Sequence, residues 1–356
     1  MSVPKPRPNV LEIPAYVPGK PPTVRPGMTA YKLSSNENPY PPLPGVVEAA
    51  TRAVEVMNRY PDMGSSALYE ALGTRLRVPT TDLVVATGSV ALIYQVLAAY
   101  CEPGDEVVFA WRSFEAYPIA AAAAAATAVQ VPLADDGRHD LTAMLAAITD
   151  RTKVVMVCTP NNPTGPSVTR AELDAFIAAV PPHIVVVVDE AYLEFIRMDD
   201  AVDGLATYRA NPNVVLFRTF SKAYGLAGFR VGYAVAQEPI AAPLRAVSLP
   251  FGVSSVAQAA AIASLAAEAE LLERVDALVA ERARVHGALL EQGWNIPDPQ
   301  GNFVWFTLGE RTADFALAAD EAGITVRPFA GEGARVSIGE VAGNDTLLRV
   351  AANFVP

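Results

Sequence analysis

Four apolar runs in this chain end in residues able to do chemistry. "NVVLFRTF" runs into Ser221 and Lys222, and "IVVVVDEAY" closes on Asp189, Glu190 and Tyr192. "KVVMVC" leads into "TPNNPTG", with Asn161 and Asn162, and "DLVVATG" ends at Gly88 and Ser89. A lysine at the end of a buried strand, near other cations, loses proton affinity and becomes a nucleophilic amine; taken alone it is also an ordinary solvated loop residue. A carboxylate directly after an apolar run is partly desolvated and needs a cation opposite it, unless it caps the next segment. The paired asparagines sit in a turn fixed by two prolines and Gly165, where they offer amides in a rigid setting or form a plain Asn-rich turn. A glycine and serine that open a helix present free N–H groups to an anion, although many strands end in glycine.

The elements around these residues are legible from periodicity. After about residue 45, β-branched runs alternate with helical segments: "VVEAATRAVEVMNRY", "SVALIYQVLAAY", the alanine-rich "PIAAAAAAATA", "LTAMLAAIT" and "TRAELDAFIAAV". This pattern predicts a mostly parallel sheet covered by helices on both faces. In open sheets of this kind ligands bind beyond the carboxyl ends of the strands, so the four chemical ends fall on one rim. The link from "NVVLFRTF" to "FRVGYAVA" is short for a covered crossover and predicts one antiparallel strand. "SSVAQAAAIASLAAEAELLERVDALVAERARVHGALLEQG" reads as a long helical bridge with room for a break. After it, "NFVWFTL", "TADFALAADEAG", "ITVRPF", "ARVSIG" and "NDTLLRVAANF" give a small α/β lobe. The first 44 residues are dense in proline, which opposes helix and favours an extended arm; Leu11, Ile13, Tyr16 and Val17 give it something to bury. The expected division is an arm over 1–44, a large domain over 45–270 and a small domain over 271–356.

Bulk properties narrow the function. With 27 Lys and Arg against 38 Asp and Glu, the net charge is −11, which disfavours nucleic-acid binding but not a small anion in a local pocket. No apolar run approaches the roughly 18 residues of a membrane span, and the first residues have no signal-peptide core; a soluble, cytoplasmic protein is expected. Cys101 and Cys158, in or beside apolar segments, read as buried thiols. His139, His183 and His286 lack ligand spacing, so no metal is expected.

An amine, a carboxylate, a phenol, an amide, hydroxyls and an anion cradle on one rim are what pyridoxal 5'-phosphate requires. Its aldehyde forms a Schiff base with a lysine, its ring nitrogen needs an acid partner, and its phosphate needs N–H groups, hydroxyls and cations. The motifs "SSNENPY" (34–40), "NRYPD" (58–62), "ATGS" (86–89), "PNNPTG" (160–165), "VVDEAYLEF" (187–195) and "TFSKAYGLAGFR" (219–230) occur in order along nearly the whole chain. Together they resemble the class II, fold-type I aminotransferases of the histidinol-phosphate aminotransferase family. The resemblance implies that Lys222 carries the cofactor as an internal aldimine and then moves the proton between substrate Cα and cofactor C4′. It implies that Asp189 pairs with the ring nitrogen and that Tyr192 and Asn162 bond the phenolic oxygen. Ser89, Val90, Thr219, Ser221 and Arg230 are implied to hold the phosphate, and Phe114 to stack on the ring. Tyr60 is implied to reach the phosphate of the neighbouring subunit, which makes a homodimer the expected unit. Arg335 matches the arginine that grips the substrate α-carboxylate by a bidentate fork. Arg327, Tyr16 and Asn38 fall on the substrate side, with a structural salt bridge the alternative for Arg327.

"IPAYVPGK" and "WRSFEAYP" resemble the actinobacterial aromatic-amino-acid, phenylalanine-type branch of that family. Tyr16, Trp111 and Phe114 offer ring-packing surface, or Trp111 belongs to the core. The expectation is a ping-pong transfer of an amino group between an aromatic amino acid and 2-oxoglutarate. Histidinol phosphate is the alternative donor, because Arg327 and Arg335 suit a phosphate as well as a carboxylate. More remote readings are a phospho-amino-acid decarboxylase of the same fold and a non-catalytic ligand-binding protein. A nicotinamide-dependent enzyme is disfavoured because no G-x-G-x-x-G follows the first strand.

Overall fold

The computed structural model describes residues 3–11, 13, 16 and 18–354; Val17 of the arm lies outside them. In chain order the strands are β1 (Tyr31–Lys32), β2 (Leu83–Ala86), β3 (Glu106–Trp111), β4 (Thr127–Pro132), β5 (Thr152–Cys158), β6 (Val185–Asp189), β7 (Val214–Thr219), β8 (Gly232–Ala236), β9 (Phe303–Thr307), β10 (Ile324–Thr325), β11 (Arg327–Phe329) and β12 (Gly333–Ser337). The central sheet has the order β2-β8-β7-β6-β5-β3-β4. β8 runs antiparallel to both neighbours and every other pairing is parallel. β6, β7 and β8 are buried at every residue. That is why these runs are continuously apolar instead of alternating: helices cover both faces of the sheet.

The antiparallel strand decides the site. Because β8 is reversed, its first residues lie on the same rim as the last residues of β7, with Thr219 opposite Gly232. The loop 220–231 therefore stays on that rim for its whole length. β2 runs parallel to β7, so its carboxyl end and the helix Ser89–Tyr100 after it open on the same side.

A second, antiparallel sheet of order β11-β12-β9 carries the helices Thr312–Glu321 and Val341–Asn353. The arm is stitched to this part of the chain: Tyr31 and Lys32 pair in parallel with Ile324 and Thr325. The helices Ser255–Ala266 and Glu268–Glu291 meet at an 81° bend, and the second buries Leu271, Val275, Leu278, Arg282, Val285 and Leu289 along one stripe. No single helix among the described residues is long and apolar enough to cross a membrane.

Several expectations differ in detail. The helix predicted through Tyr60 stops at Val54. Val56 and Met57 directly beyond it are exposed, so no burial of an apolar face stabilises further turns. The alanine-rich helix spans Ala116–Ala123 and yields to β4, because pairing with β3 outweighs local helix propensity. Pro8–Leu11 makes a single helical turn where the proline density argued against one; proline is tolerated at the first helical position. Leu11 and Tyr16 are exposed instead of packed. "ITVRPF" divides between two sheets as β10 and β11. Cys158 is buried, whereas Cys101 is only half-buried.

Beneath the rim, Arg218 of β7 donates from Nε to Glu190 Oε2 at 2.8 Å, both side chains being nearly inaccessible. Breaking a buried pair by removing one charge leaves the other uncompensated. Glu190→Gln should therefore lower stability by about 3–5 kcal/mol, and Glu190→Leu combined with Arg218→Met should recover most of it. Urea unfolding of the three variants beside the parent checks this.

Candidate active site

The carboxyl ends of β2, β5, β6 and β7 and the start of β8 surround one cleft of about 1000 Å³, open to solvent. Asp189, the last residue of β6, lies at its floor. Its Oδ2 accepts a hydrogen bond from the Tyr117 hydroxyl at 2.8 Å and its Oδ1 accepts one from Ala191 N–H at 3.3 Å. Among the described residues no cation pairs with it. Burial raises its pKa to about 6, against the hydrogen bond from Tyr117, which lowers it. The sequence demanded a cation here and the fold does not supply one. A ligand with a protonated ring nitrogen would.

Lys222 follows β7 by three residues. Its Nζ donates to the Ser35 carbonyl at 3.2 Å and lies 5.7 Å from the centre of the Tyr192 ring. Packing around its stem, then the nearby Arg335 and Arg230, bring its pKa from the usual 10.5 to about 7. A large share of the amine is thus neutral near pH 7, as a nucleophile or proton carrier requires.

The anion corner is built from glycine. Gly88 has φ of 81° and precedes Ser89, the first residue of a 12-residue helix. A Cβ on Gly88 would come within 2.6 Å of Arg230 Nη2, and one on Gly232 within 2.7 Å of the Ser89 nitrogen. Only glycines let the guanidinium and the helix start approach each other this closely. Arg230 donates to Ser221 Oγ at 3.3 Å and to the Ala227 carbonyl at 2.9 Å, with no carboxylate partner among the described residues. Thr219 Oγ1 accepts from Ser221 N–H at 3.1 Å, and Val90 also lines the cleft. A cation, helix N–H groups and hydroxyls gathered at one corner suit a phosphate.

The walls carry the remaining polar groups. Tyr192 Oη accepts from Asn36 Nδ2 at 2.9 Å, and burial raises its pKa. Asn162 Oδ1 accepts from Arg335 Nη1 at 2.5 Å, while Arg335 Nη2 donates to the Ser34 carbonyl at 2.9 Å. Arg335 Nε is buried without a partner among the described residues. Phe114 lines the cleft, edge-on to Tyr117 with ring centres 5.7 Å apart. Tyr16 and Arg327 are also at the cleft, and Arg327 is held in an ion pair with Glu115 at 2.6 Å.

The residues chosen from sequence therefore converge, with three exceptions. Asn38 points into its own surroundings, donating to the Ala223 carbonyl at 2.8 Å, and does not line the cleft. Tyr60 is 82% exposed, packs on Phe251 with ring centres 4.7 Å apart, and stays out of the cleft of its own chain. Trp111 packs against Phe109 and under Arg112, outside the cleft. Sequence reasoning passed over Tyr117, Asn36 and Glu115. Tyr117 stands three residues after Phe114 at the start of a helix, a spacing that puts both on one side; Asn36 and Glu115 carried no comparable signal.

The donor set fits pyridoxal 5'-phosphate: a buried acid without a cation partner among the described residues, an amine of lowered pKa, and an anion corner whose arginine has no carboxylate partner among them. Comparison with known proteins agrees. The sequence matches the family described as aminotransferase class I and II over residues 29–352. It is 58% identical over 351 residues to an aromatic amino acid aminotransferase of Streptomyces avermitilis, spanning 99% of this chain and 98% of that one. An aromatic amino acid aminotransferase of Thermobifida fusca is 52% identical over 342 residues, 96% of this chain and 95% of that one. The structure of histidinol-phosphate aminotransferase from Sinorhizobium meliloti in complex with pyridoxal-5'-phosphate superposes with a TM-score of 0.87 at 28% identity, covering 99% of this chain and 98% of that one.

Two outcomes follow from this geometry. Unfolded, Lys222 keeps its proton up to about pH 10.5; folded, only to about pH 7. Folding without cofactor releases that proton between these values, so stability rises with pH across this window. Cofactor-free Lys222→Met should be more stable than the parent at pH 7. The gap should close by roughly 2 kcal/mol towards pH 10, at about 1.4 kcal/mol per pH unit and reduced because cleft water reaches the amine; denaturant titrations at several pH values measure it. Gly88→Ala, which strains the backbone and displaces Arg230, should weaken cofactor binding by about tenfold or more, read by fluorescence titration.

Proposed function

The chain belongs to the class I and II aminotransferases and depends on pyridoxal 5'-phosphate, and from that premise we propose that it moves an amino group between an aromatic amino acid, phenylalanine or tyrosine in type, and 2-oxoglutarate. The observation that carries the substrate class is the 52–58% identity, along nearly the whole chain, to proteins named aromatic amino acid aminotransferases.

When bound, the cofactor supplies a carbonyl that condenses with amines and a ring that accepts the electron pair left when Cα loses its proton. Arg230, Ser221, Thr219 and the N–H groups at Ser89 and Val90 would hold its phosphate. Asp189 would hold its ring nitrogen, Asn162 and Tyr192 its phenolic oxygen, and Phe114 its ring face. Asp189 serves this role because burial and Tyr117 hold the carboxylate in place while leaving its charge unpaired. Lys222 would hold the cofactor covalently at rest and, as a free amine, would take the proton from the substrate Cα on Nζ. Its pKa near 7 lets it accept and return that proton at similar cost. Arg335 receives the α-carboxylate, with Nε as the donor that the fold leaves unused. Tyr60, exposed in its own chain, reaches the phosphate of the neighbouring subunit, so the working unit is a homodimer.

The second reading, histidinol phosphate as donor, draws support from the Sinorhizobium meliloti neighbour and from Arg327 and Arg335 at the cleft. Half-reactions followed by cofactor absorbance with phenylalanine, tyrosine, histidinol phosphate and aspartate separate the two. Fast conversion with the two aromatic amino acids is expected. Fast conversion with histidinol phosphate and none with phenylalanine would overturn the proposal. Lys222→Ala should slow the proton-transfer step by at least about 10²–10⁴-fold.

A further inference from the structure

Among the described residues six charged side chains line the cleft: Lys222, Arg230, Arg327 and Arg335 are cations, and Asp189 and Glu115 are acids. Four of them have places in the reading above; Arg327 serves only the second reading, and Glu115 neither. It stands at the start of the helix Ala116–Ala123, where a carboxylate commonly caps the helix's own free N–H groups, yet it makes no capping bond. Instead its Oε2 accepts from Arg327 Nη2 at 2.6 Å, across 212 residues of sequence. Arg327 is nearly inaccessible, and Glu115 is about one-quarter exposed at the cleft.

The pair sits beside the substrate carboxylate arginine. β11 and β12 place Arg327 directly opposite Arg335, so two guanidinium groups adjoin on one sheet. Arg327 opposes the charge of Arg335, and Glu115 supports it. Without Glu115 this end of the cleft would present two positive groups, and a substrate carrying a second anionic group would be drawn to them. With Glu115 in place, Arg327 is engaged, and an incoming oxyanion meets a carboxylate. The Phe329 ring, beneath Arg327 at 5.2 Å and also lining the cleft, leaves an apolar surface for an uncharged side chain.

We propose that Glu115 is a positioning residue for selectivity: by holding Arg327 it denies that guanidinium to substrates whose side chains are phosphate esters or carboxylates, and leaves the cleft to aromatic ones. This rests on the aromatic-donor reading above. An acceptor with a distal carboxylate, as proposed, enters against the same lock and binds correspondingly weakly. Glu115 acts through Arg327 and needs no contact with the reacting atoms.

The test is a binding ratio in the holoenzyme, read from cofactor absorbance. Succinate, a dicarboxylate without an amine, is titrated against 3-phenylpropionate, which has a neutral ring in place of the second carboxylate. Glu115→Gln should tighten succinate by about tenfold or more while moving 3-phenylpropionate by less than about twofold, and Glu115→Ala should act in the same direction. Adding Arg327→Gln to Glu115→Gln should abolish the gain. An unchanged succinate to 3-phenylpropionate ratio in both single variants, or a gain that survives loss of Arg327, overturns the inference. A merely structural role for Glu115 would weaken both ligands together and also overturns it. Parent enzyme that converts histidinol phosphate but not phenylalanine would sink the aromatic-donor reading instead, and the ligand ratio is read independently of that result.

Discussion

Asp189 is a carboxylate fixed at the end of a fully buried strand, with no cation paired to it among the described residues. Burying an unpaired charge is costly, and proteins ordinarily neutralise it or pair it. Here the protein holds the carboxylate in place with the Tyr117 hydroxyl and the Ala191 N–H and leaves its charge open. The same holds, with opposite sign, at the anion corner, where Arg230 lies against Gly88 without a carboxylate. An acid without a base at one end of the cleft and a base without an acid at the other amount to the imprint of a zwitterionic ligand. The rest of the rim conforms to that requirement.

Lys222 acquires its character from this arrangement rather than from its neighbours in sequence. Its stem is packed, Arg335 and Arg230 repel its proton, and its amine faces open cleft. The same arginines that would bind anionic groups thereby prepare the amine. Electrostatic function and the binding of charged ligands are consequently coupled: filling the anion sites would relieve the repulsion on Lys222, so its proton affinity varies with occupancy. Stability is sacrificed for this in a localised way. Asp189, Lys222 and Arg230 gather at the cleft, whereas beneath it Arg218 and Glu190 neutralise each other and the strands are packed with valine and leucine.

Much of this was legible in the chain. The continuous apolar runs specify buried strands because helices cover both faces, and they point their terminal residues to one rim. Lys222, Asp189, Asn162, Tyr192 and Arg230 were found because each follows an apolar strand or opens one. The short loop 220–231 foretold the antiparallel β8. What escaped were residues whose partners are distant in sequence. Tyr117 meets Asp189 across 72 residues and Asn36 meets Tyr192 across 156, and no local pattern records such pairings. Local propensity also misplaced ends. The helix after Val46 stops when its apolar residues lose a surface to pack on, and the alanine run gives way to β4 because β3 needs a partner.

The sequence by itself determined the kind of chemistry: the residue types, their places at strand ends, and the acidic composition that disfavours a polyanionic partner. Tertiary structure alone decided which of those groups are paired. Arg218 is satisfied and Arg230 is not. Arg327 is held by Glu115, while Arg335 keeps a donor unused. The physical reason is that a charge is defined by its surroundings. Burial and a partner at 2–3 Å set whether a guanidinium is a structural tie or a binding group, and those surroundings are assembled from segments that the chain keeps hundreds of residues apart.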